Sequence, residues 1–186
     1  MKPSKLSNDE ALSEASSKGQ LEVVNRLLEA GMNVRSFYDD AIRSASYHGH
    51  LAVVDRLFES GANIHTIDDH AFRGAASNGH LEVVNRLLEL GANIHSESDY
   101  ALRKASEYGH LAVVNRLLEL GANVHANHDE ALFLALNNRH LEIVNRLMEA
   151  GSKINENDRV SIYKFLVLTK STIIRPDFLK PFIPFR

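Results

Sequence analysis

Residues 81–95 read LEVVNRLLELGANIH, residues 111–125 read LAVVNRLLELGANVH, and residues 51–65 read LAVVDRLFESGANIH. The three stretches lie 30 residues apart, and the spacing continues on either side. Glycine recurs at positions 31, 61, 91, 121 and 151, and arginine at 26, 56, 86, 116 and 146. Alanine recurs at 11, 41, 71, 101 and 131, each two residues after an aspartate at 9, 39, 69, 99 or 129. Five copies therefore run over residues 8–37, 38–67, 68–97, 98–127 and 128–157 without an insertion. A unit of this size cannot bury its apolar face alone, so the copies must stack on one another.

Each copy reads as two short helices. In the fourth, the first helix covers about residues 100–108, with Ala101, Leu102 and Ala105 on one face. Asp99 precedes it as an expected N-cap, and Gly109 suits a left-handed stop. The second helix, about residues 111–120, places Leu111, Val114, Leu117 and Leu118 at helical spacing, with Asn115, Arg116 and Glu119 facing outward. On this outer face Glu22 with Arg26, and Glu82 with Arg86, stand at the i,i+4 spacing of helix-surface ion pairs. The expected fold class is all-α, a helical solenoid curving toward its smaller first helices.

The stretch GHLEVVNRLLELGAN at 79–93 resembles the second-helix half of an ankyrin repeat, with G-H, V-V, L-L and G-A-N in step. The resemblance covers about 150 of the 186 residues in five registered copies. Ankyrin repeats usually have about 33 residues and a T-P-L-H opening. These copies are shorter and open on Asp-x-Ala, so the projecting finger between repeats is expected to be cut back. The resemblance implies a protein-binding module that holds its partner on a concave surface of first helices and connections. Similar short repeats occur in proteins of giant DNA viruses and intracellular bacteria, which implies a host-directed protein and a cytoplasmic or host-cell location.

Bulk properties narrow the field. The chain has net charge −3 and no cysteine, which excludes a disulfide framework and any Cys-ligated zinc site. The N-terminal stretch is polar, without the apolar run of a secretory signal. The most apolar segment, VSIYKFLVL at 160–168, contains Lys164 and is half the length of a membrane span. Residues 158–186 hold six basic and two acidic residues, which leaves the repeat body near −7. An acidic body lacks the footprint of a nucleic-acid binder.

Where the copies agree, a scaffold is expected; where they differ, a binding surface. The varying positions select Phe37, Tyr38, Ile67 and His70 in the connections. On the first helices they select Arg43, Tyr47, His48, Arg73, Tyr100, Arg103, Lys104 and Tyr108. Aromatic and arginine side chains are the usual anchors of interfaces. Arg43, Arg73 and Arg103 form an inner ladder that would suit an acidic partner or pair internally with Asp39, Asp69 and Asp99.

Ten histidines raise the question of metal or catalysis. His50, His80, His110 and His140 share one register, where a ring nitrogen can satisfy backbone groups, and His65, His95 and His125 share another. The one local cluster is HANHDE, with His125, His128, Asp129 and Glu130. No HExxH, GxSxG or phosphate-cradling glycine loop is present, so no catalytic residue, cofactor or metal is expected. The alternatives are a metal-dependent enzyme using these histidine-rich connections and an engineered repeat scaffold. The irregular fifth copy and tail argue against the second.

The ends depart from the pattern. The first copy carries Ser13, Glu14, Ser17 and Lys18, polar as a terminal cap requires. In the fifth, Arg139 replaces the glycine of 19, 49, 79 and 109, at about 1 kcal/mol if the left-handed conformation is kept. Phe133, Leu134 and Leu136 there call for a cover, and residues 158–186 are expected to supply a capping helix followed by the Pro/Phe-rich RPDFLKPFIPFR. The alternative for that tail is an exposed segment for a partner, a membrane surface or homodimerisation of an otherwise monomeric chain.

Overall fold

A computed structural model describes residues 8–153, which form helices and, among those residues, no strand. The helices come in pairs: α1 (Asn8–Ser17) with α2 (Leu21–Glu29), α3 (Ser36–Tyr47) with α4 (Leu51–Glu59), and α5 (Thr66–Ser77) with α6 (Leu81–Glu89). They continue as α7 (Ser96–Tyr108) with α8 (Leu111–Glu119), and α9 (Ala126–Asn137) with α10 (Leu141–Glu149). The expected cap helix and tail, residues 158–186, lie outside the described residues. None of the described helices is long and apolar enough to cross a membrane.

The chain divides into two compact units between Glu97 and Ser98. In the first, α1 packs on α3 and α3 on α5, while α2 packs on α4 and α4 on α6. In the second, α10 packs on both α8 and α9. The fold class is that of an all-α repeat solenoid, as the 30-residue period predicts.

Composition explains the packing. First helices bury small residues around one large one: Ala41 and Ala45 around Ile42, Ala71 and Ala75 around Phe72, Ala101 and Ala105 around Leu102. Second helices bury Val53, Val54 and Leu57 in α4, and Val113, Val114 and Leu117 in α8. Leu111 and Leu118, expected in this core, are only partly buried. Removing one of the fully buried leucines costs about 2–5 kcal/mol. In α2 one position differs: Val23 is 40% exposed, whereas its counterparts Val53 and Val83 are buried. Ser13 of the first copy, expected on the outer side, turns to the next repeat and donates to Asp40.

Three contacts recur: two join successive copies, and one ties the start of a copy to its own end. A histidine ring reaches back from the start of each second helix: Nε2 of His50 donates to the Ser17 carbonyl at 2.9 Å, His80 to Tyr47 at 3.0 Å, and His140 to Glu107 at 3.0 Å. An aspartate reaches forward. Asp39 accepts the Asn63 N–H and the Thr66 hydroxyl, both at 2.7 Å, Asp99 accepts the Asn123 N–H at 2.8 Å, and Asp129 accepts the Ser152 hydroxyl at 2.7 Å. The expected helix caps thus serve as struts to the following connection. An arginine on the outer face also reaches back: Nε of Arg56 donates to Asn25 at 2.7 Å, Arg86 to Asp55 at 2.6 Å, and Arg146 to Asn115 at 3.0 Å. The expected pairing of Glu82 with Arg86 gives way to Asp55 and Glu89. The outer arginine ladder joins neighbouring repeats as well as meeting solvent.

Candidate protein-binding surface

The connections have an unusual backbone. Ile67, Asp68 and Asp69 stand in succession at φ 53°, 50° and 56°. Glu97, Ser98 and Asp99 repeat this at 46°, 56° and 55°, and Asn127, His128 and Asp129 at 49°, 61° and 63°. Phe37 and Asp39 adopt 48° and 57°. Each run makes one turn of left-handed conformation before the right-handed helix begins. L-residues enter it at roughly 1–2 kcal/mol each, with Asn and Asp the most tolerant. The shortened connection predicted from the period is this turn. The sequence signal for it is the density of Asp, Asn and Ser there.

The inner arginines brace the turns. Arg73 donates from Nε to the Asp68 carbonyl and from Nη2 to the Ile67 carbonyl, both at 2.8 Å. Arg43 donates to the Phe37 carbonyl at 3.2 Å, and Arg103 to the Ser98 carbonyl at 3.1 Å. Their acidic partners are Asp40 at 2.8 Å from Arg43, Glu97 at 3.1 Å from Arg73, and Glu130 at 2.7 Å from Arg103. Internal pairing therefore takes place, and these acids share in it. Arg73 is only 7% exposed, so this position belongs to the turn's support. Glu130 is held below the usual carboxylate range: burial opposes this, and the Asn127 hydrogen bond together with Arg103 outweighs it.

The other selected side chains fall into two groups. In the first unit Phe37, Ile67, Tyr47 and His48 are exposed. The Tyr47 ring lies over Gly74, and the His48 ring meets it edge-on at 5.1 Å while donating to the Ser44 carbonyl. His70 is half-buried. Burial first, then Arg43 and Arg73, hold its imidazole below the ordinary value, with Glu97 and Asp40 pulling the other way. In the second unit, Lys104 lies 5.7 Å and 5.8 Å from the Tyr100 and Tyr108 ring centroids and pairs with Glu107 at 2.6 Å. The Glu107 hydrogen bond chiefly raises its affinity for the proton. Tyr108 is exposed, whereas Tyr100 is half-buried under Arg103. The Tyr38 side chain lies outside the description.

The HANHDE cluster is tied into the scaffold. Nδ1 of His125 lies 3.0 Å from Asp129, which also accepts from Ser152 and from the Lys153 N–H. Among the described residues, no group of three or more His, Asp or Glu side chains is arranged to hold a metal ion.

The sequence matches a family model described as ankyrin repeats (3 copies) over residues 72–158. It matches a second, described as ankyrin repeats (many copies), over residues 42–88. No curated protein matches the chain significantly.

Proposed function

Because the chain belongs to the ankyrin repeat family, whose members generally serve as protein–protein interaction modules, we propose that it binds a partner protein through its first helices and left-handed turns. One observation carries this reading. Of the large apolar side chains exposed among the described residues, Phe37, Tyr47, Ile67, Tyr108 and Phe133 belong to first helices or their turns. Val23 and Leu120 are the two on the second-helix side. Exposed aromatic side chains on a rigid frame are what a binding surface supplies, since little conformational freedom is lost on association.

The reading is of a binding scaffold without chemistry of its own, acting by blocking, bridging or sequestering its partner in an intracellular setting. A host-directed role rests on the resemblance to short viral and bacterial repeats alone. The acidic-partner version has the least support, because each inner guanidinium already meets a carboxylate and a turn carbonyl.

Affinity capture from cell lysate tests the surface. The wild-type chain is compared with Tyr47→Ser/Tyr108→Ser on first helices and with Glu59→Lys/Glu89→Lys on second helices, all confirmed folded by circular dichroism. The expected result is a captured protein lost with the tyrosine variant and kept with the glutamate variant. The reverse pattern would move the binding surface to the second helices.

A further inference from the structure

We propose that Phe37 and Ile67 are the anchor pair of this surface, and that they take a partner segment bearing apolar or aromatic side chains and no acidic ones. The proposal rests on the binding reading above and names the chemistry of its partner.

Exposure and backbone point the same way. Phe37 is 61% exposed and Ile67 46% exposed, although both residues favour burial. Both also occupy the first left-handed position of a turn, at φ 48° and 53°. That conformation is uncommon for any residue but glycine, and for a bulky or β-branched side chain it is a true outlier. The same position in later copies holds Glu97 and Asn127 at φ 46° and 49°. The turn thus accepts polar residues, and asparagine is better suited to it than phenylalanine or isoleucine. Two copies carry apolar side chains where conformation and solvent both favour a polar one. Strained residues that persist in this way cluster at ligand clamps and switch regions.

The turns are built to hold the backbone of these two residues still. Arg43 and Arg73 donate to the carbonyls of Phe37 and Ile67 themselves, which fixes the two peptide planes. Adjacent packed helices place neighbouring turns about 10 Å apart, a spacing that two apolar side chains of one short segment can span. A pre-organised pair loses less entropy on binding than two mobile side chains.

Charge selects the occupant. Around the two anchors, three guanidinium groups already face carboxylates: Arg35 with Asp39, Arg43 with Asp40, and Arg73 with Glu97. With Asp69 beside His65, the patch carries more carboxylates than guanidinium groups, which offers no attraction to an acidic partner. Asp68, exposed beside Ile67, adds a negative charge that disfavours an acidic one. An apolar segment without acidic side chains fits both conditions.

The test is selection of a random peptide library displayed on phage against the full chain, followed by affinity measurements on representative peptides. The variant Phe37→Asn/Ile67→Asn copies the residue already present at 127. Selected peptides should be rich in aromatic and aliphatic residues and poor in Asp and Glu. Their affinity for the variant should fall at least about 30-fold, the scale of a truncated interface anchor. The variant's urea midpoint should be unchanged or higher. Phe37→Glu/Ile67→Glu, which copies Glu97, should show the same loss of peptide binding. Acidic selected sequences, or peptides bound equally by wild type and both variants, would overturn the anchor proposal while leaving the wider binding reading standing. No enrichment of any peptide by wild type over a blank support would overturn both. A clear fall in urea midpoint with asparagine would overturn the argument that Phe37 and Ile67 are present for binding instead of folding.

Discussion

Gly109 and Arg139 close the same turn in consecutive copies, at φ 85° and 64°. Their surroundings differ. A Cβ added at Gly109 would lie 2.7 Å from the ring of His140, the histidine of the next copy. The sequence contains no histidine after His140, so no such ring follows Arg139. Gly19 and Gly49 repeat the first case, with His50 and His80 rings 2.5 Å from the Cβ position. Glycine is required here because the neighbouring repeat's imidazole lies on the Cα, and the left-handed backbone is a lesser demand. Where the ring is absent, a side chain returns.

The contrast orders the expected effects of substitution. Gly109→Ala meets both the ring and the left-handed backbone and should lower stability by about 3 kcal/mol in urea unfolding. Gly121→Ala, at φ 90° with nothing within 4 Å of the added Cβ, should lower it by only about 1 kcal/mol. Arg139→Gly should raise it by no more than about 1 kcal/mol. Equal losses at Gly109 and Gly121 would make backbone conformation the whole cause.

A smaller effect concerns His70, which lies in the midst of the bracing arginines. Its folded-state proton affinity is lowered from the ordinary value of 6.5, by burial and then by Arg43 and Arg73. The unfolded chain therefore takes the proton first. The stability linked to this group is present above about pH 6.5 and is lost as pH falls through the lower folded value. Urea midpoints measured at about pH 7.5 and about pH 5.5 should show a smaller acid loss for His70→Gln than for wild type. An identical loss would remove His70 from the acid response.

The fold was legible because its period repeats without an insertion and its apolar residues fall on helical faces. The glycine stops and the histidine-to-carbonyl contacts were also readable, since both occupy fixed registers. The struts were not. An aspartate before a helix reads locally as a cap, whereas Asp39 spends both carboxylate oxygens on Asn63 and Thr66, more than twenty residues on. The partners of the inner arginines were equally hidden, because they follow no common spacing. Arg43 pairs within its own helix, with Asp40, while Arg73 and Arg103 pair with Glu97 and Glu130 from the following connections. Only the backbone course of the turns brings these acids within reach. The same course changes what the variable positions mean. Arg73 is a variable-surface residue in the sequence and a buried brace in the structure, while Phe37 and Ile67 stand exposed on the turns that the arginines hold.

The account treats the repeated residues as joints between copies, which leaves the varying ones for recognition. A double-mutant cycle on Gly109→Ala and His140→Ala tests those joints most directly. If the ring is what demands glycine, alanine at 109 should cost about 3 kcal/mol with His140 present and about 1 kcal/mol with it removed. An equal cost in both backgrounds would contradict the joint and leave the glycine ladder as a matter of backbone conformation alone.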